Sequence, residues 1–410
     1  MRFKKPYLYN ALEGLNFQSF TEIQQKVIPD ALKGRDIIGV SETGSGKTHA
    51  YLLPLFDRLD EEKKRIQTLI LSPTRELAEQ ILAFARAIAG YNPKKPDIRI
   101  YTGGRDRAKE IERLHKSQPQ IAIGTPGKVF DLALKENVLK IHTADTLVID
   151  EADMSLEAGF LKEMEAIAAT CGEKAQLMVF SATFPDNLGT FIKKSMHQPL
   201  EVVLGRRRLA KLPIRHRFVK IAAAERMVML EKVIDAINPY LAMIFANTTT
   251  EVDNIARRLK EKDLDVTRLH GNMSARERKQ AVRDIHSLNV QYIVASDMAS
   301  RGIDIEGVSH IVNHAFPADM TFYIHRVGRT ARMGMDGDAI TLYDPERDEK
   351  AFTFLKKEGV EPVYAVIEAG RLVSKEKRPK KSVSDSERTS KARPAYKKKY
   401  RKNVRRKRDG

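Results

Sequence analysis

Short apolar runs recur along most of the chain, separated by stretches whose apolar positions repeat every three or four residues. The first 36 residues form a helical lead-in, with Leu8, Ala11, Leu12 and Leu15 at helical spacing, then Phe17 and Phe20-Thr21-Glu22-Ile23-Gln24. Strand-like runs follow at 37–40, 68–71, 98–102, 120–123, 146–149 and 177–180, with helical patterns between them, including 75–89 and 160–169. Such alternation predicts an α/β fold with a parallel sheet covered on both faces. Its polar loops should gather at the carboxyl ends of the strands. The pattern breaks near Gly205-Arg206-Arg207-Arg208 and Lys211-Leu212-Pro213, which read as a basic linker. A second alternating set has strands at 216–221, 241–245, 266–269, 290–295, 310–312 and 338–342, without a visible sequence repeat. Beyond about Leu372 the chain is mostly Lys, Arg, Ser and Pro; it lacks the apolar area to offset ordering entropy and is expected to be disordered. The expected division is a first domain at 1–205, a linker at 206–215, a second domain at 216–370 and a basic tail at 371–410.

Charge sharpens that division. The net charge is +18, yet residues 371–410 hold 18 Lys/Arg against 4 Asp/Glu, leaving only +4 for the first 370 residues. Positive charge concentrated in one segment favours phosphate backbones through counterion release and specifies no sequence. One cysteine, Cys171, excludes an intramolecular disulfide and suits a reducing cytoplasm. No apolar run reaches membrane-spanning length, and Met1 to Asn10 lacks a signal-peptide apolar region.

The chemistry centres on Ser41-Glu42-Thr43-Gly44-Ser45-Gly46-Lys47-Thr48, between a strand-like and a helical run. A tight glycine turn at a helix N-terminus points backbone N–H groups at phosphate oxygens. Lys47 is suited to the β and γ phosphates, and the Thr48 hydroxyl to Mg²⁺. Ser41 stands where the general phosphate-loop pattern has glycine. Asp150-Glu151 closes the apolar run Thr146-Leu147-Val148-Ile149, placing two carboxylates at a strand end where a cation and an attacking water would need them.

Taken with Gln24, Asp150-Glu151-Ala152-Asp153, Ser181-Ala182-Thr183 and His325-Arg326-Val327-Gly328-Arg329-Thr330-Ala331-Arg332, the chain resembles the DEAD-box ATP-dependent RNA helicases, of the short bacterial cold-shock type. The resemblance covers residue 1 to about 365 in the family's motif order. It implies two tandem RecA-like domains, ATP and Mg²⁺ as cofactors, and RNA as the partner. It assigns the phosphate-loop residues above to ATP, Gln24 to adenine, and Gly302 and Asp304 to phosphates and ribose. Lys47, Glu151, Arg329 and Arg332 become catalytic: Glu151 for the attacking water, the two arginines as fingers on the transferring phosphoryl group. Arg329 and Arg332 are expected on one helix, three apart. Asp150 holds Mg²⁺ with Thr48; Asp153, Ser181, Thr183 and His325 couple nucleotide to RNA. Phe3 and Tyr7 are the candidates for stacking on adenine; Phe20 replaces the family's proline and Ala331 its glycine.

The resemblance also implies RNA contacts from Pro73, Thr74, Arg75, Gly104, Thr125, Pro126 and Gly127 in the first domain. In the second they are Asn247, Thr248, Gly271, Arg278, Ser296 and Asp297. Such residues grip phosphates and 2′-hydroxyls without reading bases. The expected activity is ATP-driven domain closure that locally unwinds short duplexes, by a cytoplasmic monomer acting on ribosomal or messenger RNA, with ribosome or RNA-decay proteins as possible partners. A nucleotide-gated RNA clamp and a DNA helicase of the same superfamily remain open as alternatives.

Overall fold

A computed structural model describes residues 2–374 except 43, 173, 185, 206–208, 223–224, 298–304, 306 and 332–335. The chain divides into two compact units, Met1–Arg206 and Arg207–Gly410.

In the first unit α1 (Tyr7–Gly14) and α2 (Glu22–Leu32) precede β1 (Ile37–Val40) and α3 (Lys47–Arg58). Then come β2 (Thr68–Leu71), α4 (Arg75–Ala89), β3 (Ile98–Tyr101), α5 (Arg107–Lys116), β4 (Ile121–Gly124) and α6 (Pro126–Phe130). β5 (Thr146–Ile149), α7 (Ala152–Glu157), α8 (Leu161–Cys171), β6 (Gln176–Ser181), α9 (Asp186–Ser195) and β7 (Leu200–Val203) complete it. The strands are parallel, in the order β3-β4-β2-β5-β6-β1-β7. Successive strand residues feed opposite layers: Ile37, Ile70 and Val148 pack into one apolar cluster, and Ile38, Leu69, Leu71, Leu147 and Ile149 into the other. Each such side chain contributes about 1.5–3 kcal/mol by leaving water. Two-sided burial explains why these strands read as continuous apolar runs instead of alternating ones.

The second unit opens with β8 (Ile214–Lys220) and contains α10 (Arg226–Ala236), β9 (Ala242–Phe245), α11 (Thr249–Lys260), β10 (Val266–Leu269), α12 (Ala275–His286), β11 (Tyr292–Ala295) and β12 (His310–Asn313). A helix at Met320–Val327, β13 (Gly337–Tyr343), a helix at Glu349–Lys357, β14 (Val363–Glu368) and β15 (Arg371–Ser374) follow. Among the described residues the sheet order is β10-β11-β9-β12-β13-β8-β14-β15, parallel except for the last pair.

Two expected boundaries move. Leu209 is buried in the second unit's core and β8 starts at Ile214, so residues 209–215 belong to that unit and are not linker. Arg371–Ser374 pairs with β14, so the folded unit runs past 370. The β14–β15 turn is Ala369-Gly370, both with positive φ, 48° and 71°. That matches the twist of a two-residue hairpin without the Asn-Gly or Asp-Gly signal that reveals one in sequence. Residues 375–410 lie outside the described residues.

Burial pushes His216 on β8 and His314 after β12 down to about 4. Their ordinary value is near 6.5. A depressed histidine binds its proton later in the folded than in the unfolded state, so its stability contribution is full above 6.5 and is lost as pH falls toward 4. Calorimetry of the second unit's transition should show its stability falling over that window, by at most about 3–4 kcal/mol per histidine. His216→Gln should flatten that fall.

Candidate functional site

Sheet order decides what meets what. Three neighbouring strands of the first unit, β5, β6 and β1, end in Asp150-Glu151, Ser181 and the phosphate loop. Val40 is registered with Ser181, and the Ser41 N–H donates to the Ser181 carbonyl at 3.1 Å. Ser41 is buried, and its Oγ lies 2.7 Å from Ser45 Oγ, so the serine in the glycine position closes the loop with a hydroxyl pair. Gly46 caps α3 with φ 97°; a Cβ there would meet Gln24 Nε2 at 2.5 Å.

Lys47 is 5 % exposed, donates to the Ser41 carbonyl at 2.8 Å and lies 3.3 Å from Glu151 Oε1. Asp150 is buried beside them. Burial, then the charge of Glu151, pushes its carboxyl up to about 7 against the pull of Lys47 and a hydrogen bond from Tyr51. Two buried carboxylates beside one ammonium leave an unbalanced negative charge that favours a proton or a cation. Glu151 caps α7 with φ 46°, a left-handed conformation costly for a side chain of its size.

Gln24 is held against the same loop. Its Oε1 accepts the Thr21 N–H at 2.9 Å, completing a capping box on α2, and its Nε2 donates to the Gly46 carbonyl at 3.1 Å. Each amide atom keeps one further hydrogen-bonding position. Tyr7 and Phe3 are core residues; the Tyr7 hydroxyl donates to the Phe56 carbonyl, and Phe3 packs edge-on against Tyr9. The aromatic beside the phosphate-loop helix is instead half-buried Phe17, 5.0 Å from the His49 ring. Asp153 Oδ2 accepts both the N–H and the hydroxyl of Thr183 at 2.8 Å, and the Asp153 N–H donates to Ser181 Oγ at 3.2 Å. The carboxylate loop and the Ser-Ala-Thr loop are therefore tied together by these three bonds.

The other half of the edge collects the first unit's RNA candidates, because β3, β4 and β2 are neighbours. Pro73, Thr74 and Arg75 follow β2, Gly103 and Gly104 follow β3, and Thr125, Pro126 and Gly127 follow β4. Thr74 caps α4 by accepting the Leu77 N–H, and Pro126 occupies the first turn of α6. The Arg75 guanidinium lies so close over Gly103 and Gly104 that a Cβ on either would meet it at 2.6 and 2.7 Å. Lys128 is half-buried against Glu110 at 2.8 Å, so its charge is matched inside the unit.

In the second unit β10, β11 and β9 are likewise neighbours, bringing together Gly271, Ser296-Asp297 and Asn247-Thr248. Thr248 caps α11, and Arg278 is half-buried on α12. The organiser is Arg326, 1 % exposed. It holds Asp297 with two bonds, 2.5 and 2.7 Å, donates to Asn247 Oδ1 at 2.8 Å and to the Ala315 carbonyl at 2.9 Å, and faces the Phe245 ring. His325 is half-buried and Arg329 buried. The expectation that Arg329 and Arg332 share a helix is corrected: the helix ends at Val327, and Ala331 turns left-handed with φ 56°. That φ is why glycine suits this position. Thr43, Gly302, Asp304 and Arg332 lie outside the described residues.

The sequence profile of the DEAD/DEAH box helicases matches residues 21–191, and that of the helicase conserved C-terminal domain matches 225–334. The chain is 43% identical over 357 residues to the DEAD-box ATP-dependent RNA helicase CshB of Listeria monocytogenes, covering 87% of this chain and 81% of that one. It is 40% identical over 409 residues to CshB of Bacillus subtilis, covering 96% and 93%. This chain belongs to the DEAD-box ATP-dependent RNA helicases. S. cerevisiae Dbp5 bound to RNA and ADP BeF3 matches 88% of it with a TM-score of 0.78 at 26% identity, covering 93% of that protein's chain.

As a DEAD-box protein the chain is an ATP-hydrolysing enzyme, and two of its site residues escaped sequence reasoning. Tyr51, fully buried on α3, donates its hydroxyl to Asp150 Oδ2 at 2.9 Å. A tyrosine inside the apolar run Ala50-Tyr51-Leu52-Leu53 was the available signal, since a buried hydroxyl requires a partner. Arg326 had no comparable signal: its partners come from three separate segments, around Asn247, Asp297 and Ala315. Arg326→Ala should destabilise the second unit by about 3 kcal/mol, by stranding Asp297. Arg326→Lys should fall between, keeping the charge and losing the fork. Denaturant unfolding followed in each unit should show the first unit unmoved.

Proposed function

We propose that this DEAD-box enzyme binds ATP on its first unit and closes its second unit over ATP and one RNA strand. Closure bends that strand and displaces its partner from short duplexes. The observation that carries this reading is the division of one sheet edge, with Lys47, Asp150 and Glu151 on one half, Arg75 and its glycines on the other, and the Asp153–Thr183 bonds beside them.

Lys47 leaves the Ser41 carbonyl for the β and γ phosphates, and the loop N–H groups take the phosphate oxygens. Gln24 turns its remaining amide positions to adenine, and Gly302 and Asp304 take phosphates and ribose. Asp150 and Thr48 offer hard oxygen donors beside uncompensated negative charge, a set that fits Mg²⁺, whose charge would offset that developing on the phosphates. Glu151 accepts a proton from the water whose oxygen attacks the γ phosphorus; the bond to the ADP oxygen breaks as the new P–O bond forms. Arg329 and Arg332 carry the charge of that transition state. Asn247 and Asp297 act on RNA through Arg326, which fixes their loops, while Thr248, Gly271, Arg278 and Ser296 meet phosphate or 2′-hydroxyl. The basic residues beyond Ser374 raise the local concentration of structured RNA, ribosomal or messenger, around a cytoplasmic monomer.

Turnover of Mg²⁺-ATP with and without RNA tests the reading, beside strand separation of a short duplex. Glu151→Gln should retain ATP and RNA binding while turnover falls by at least about 100-fold, as for other general bases. Turnover near the wild-type rate would remove Glu151 from its role.

A further inference from the structure

β3 is one of the two edge strands of the first unit's sheet and, among the described residues, pairs only with β4. Asp97 and Tyr101 carbonyls accept from β4-side N–H groups, so by strand alternation the N–H and C=O of Ile98 and Ile100 turn outward. They open on a cavity of about 300 Å³. Its walls are α4, which supplies Arg86, and α5, which supplies Lys109 and Arg113, with Arg105 on the loop before α5; all four are exposed. The carboxylates nearby are already matched: Asp106 caps α5 and lies 3.5 Å from Lys109, and Glu110 lies 2.8 Å from Lys128. Arg86 and Arg113 have no ion pair or side-chain hydrogen bond among the described residues.

We propose that this groove docks an acidic, extended peptide segment of a partner protein, which adds to β3 as a further strand. An exposed edge is a template of alternating donors and acceptors at strand spacing, and a peptide supplies both. Acidic side chains on its two faces then meet Arg86 on one wall and Arg113 on the other. RNA fits less well, because the outward Ile98 and Ile100 carbonyls would face its phosphates. The chain's own segment after Ser374 is strongly basic, and a second copy of β3 would bring two arginine walls together, so neither is the occupant.

The full chain is titrated with a labelled twelve-residue peptide of repeating Glu-Glu-Val-Val, which puts Glu on both faces of a strand, with its Lys-for-Glu counterpart, and with a twelve-nucleotide single-stranded RNA. Binding is read by anisotropy and its place by amide exchange at Ile98 and Ile100. Support is slowed exchange at those two amides with the Glu peptide alone, and about tenfold weaker binding by Arg86→Glu/Arg113→Glu, whose ATP turnover without RNA stays at the wild-type level. No binding, binding without protection of β3 (capture by the basic C-terminal residues), or protection by the RNA in place of the peptide would each overturn the proposal.

Discussion

Among the described residues Asp150 and Glu151 are buried with one ammonium, Lys47, close enough to pair, and the phosphate-loop edge of the first unit is arranged around that imbalance. Charge removed from water must be matched or it forces protonation. Here the match is partial: Lys47 sits on Glu151, Tyr51 and the Glu151 N–H hold Asp150, and the left-handed backbone of Glu151 keeps both carboxylates at the strand end. Such a cluster is costly to fold and leaves a negative charge that a bound cation would offset. Phosphate-loop chemistry follows from this incomplete neutralisation more than from any one residue.

The second unit meets a similar constraint in the opposite way. Its deeply buried charge, Arg326, is almost fully satisfied, by Asp297, Asn247 and the Ala315 carbonyl. A buried arginine with its donors filled is a rigid peg. It fixes the loops after β9 and β11 to the helix that carries His325, so the motif residues at that edge share one anchor. Asn247 and Asp297 are both held by this peg. The first unit has an equivalent at smaller scale, where Asp153 ties Thr183 and Ser181 to the carboxylate loop.

Much of this was legible in the residue order. Period, strand runs and motif spacing gave the two α/β halves, and the Thr21–Gln24 capping box, Thr74 and the strand-end acids sit as local chemistry demands. Sequence reasoning failed where the cause was distant or weakly signalled. β14 and β15 are joined by Ala-Gly, which lacks the usual turn residues, and β7 is a short edge strand. Arg329 lies outside the expected helix because that helix ends at Val327 with Gly328 as its cap, one residue before it. Tyr51 looked like one more apolar core position until its hydroxyl was seen on Asp150.

The sequence by itself determined the family, the kinds of side chain at each loop, and the parallel layering, because these rest on local spacing and on hydrophobic periodicity. Only the tertiary structure decided which loops became neighbours. Strand order in the first sheet is not chain order: β1 lies beside β6, and β2 between β4 and β5. That permutation puts the phosphate loop beside the two acids and gathers the three polar loops carrying Arg75, Gly104 and Thr125 on the other side. Strand order is set by how crossover helices pack on both faces of a twisted sheet, a sum of many long-range contacts that no short window of residues contains.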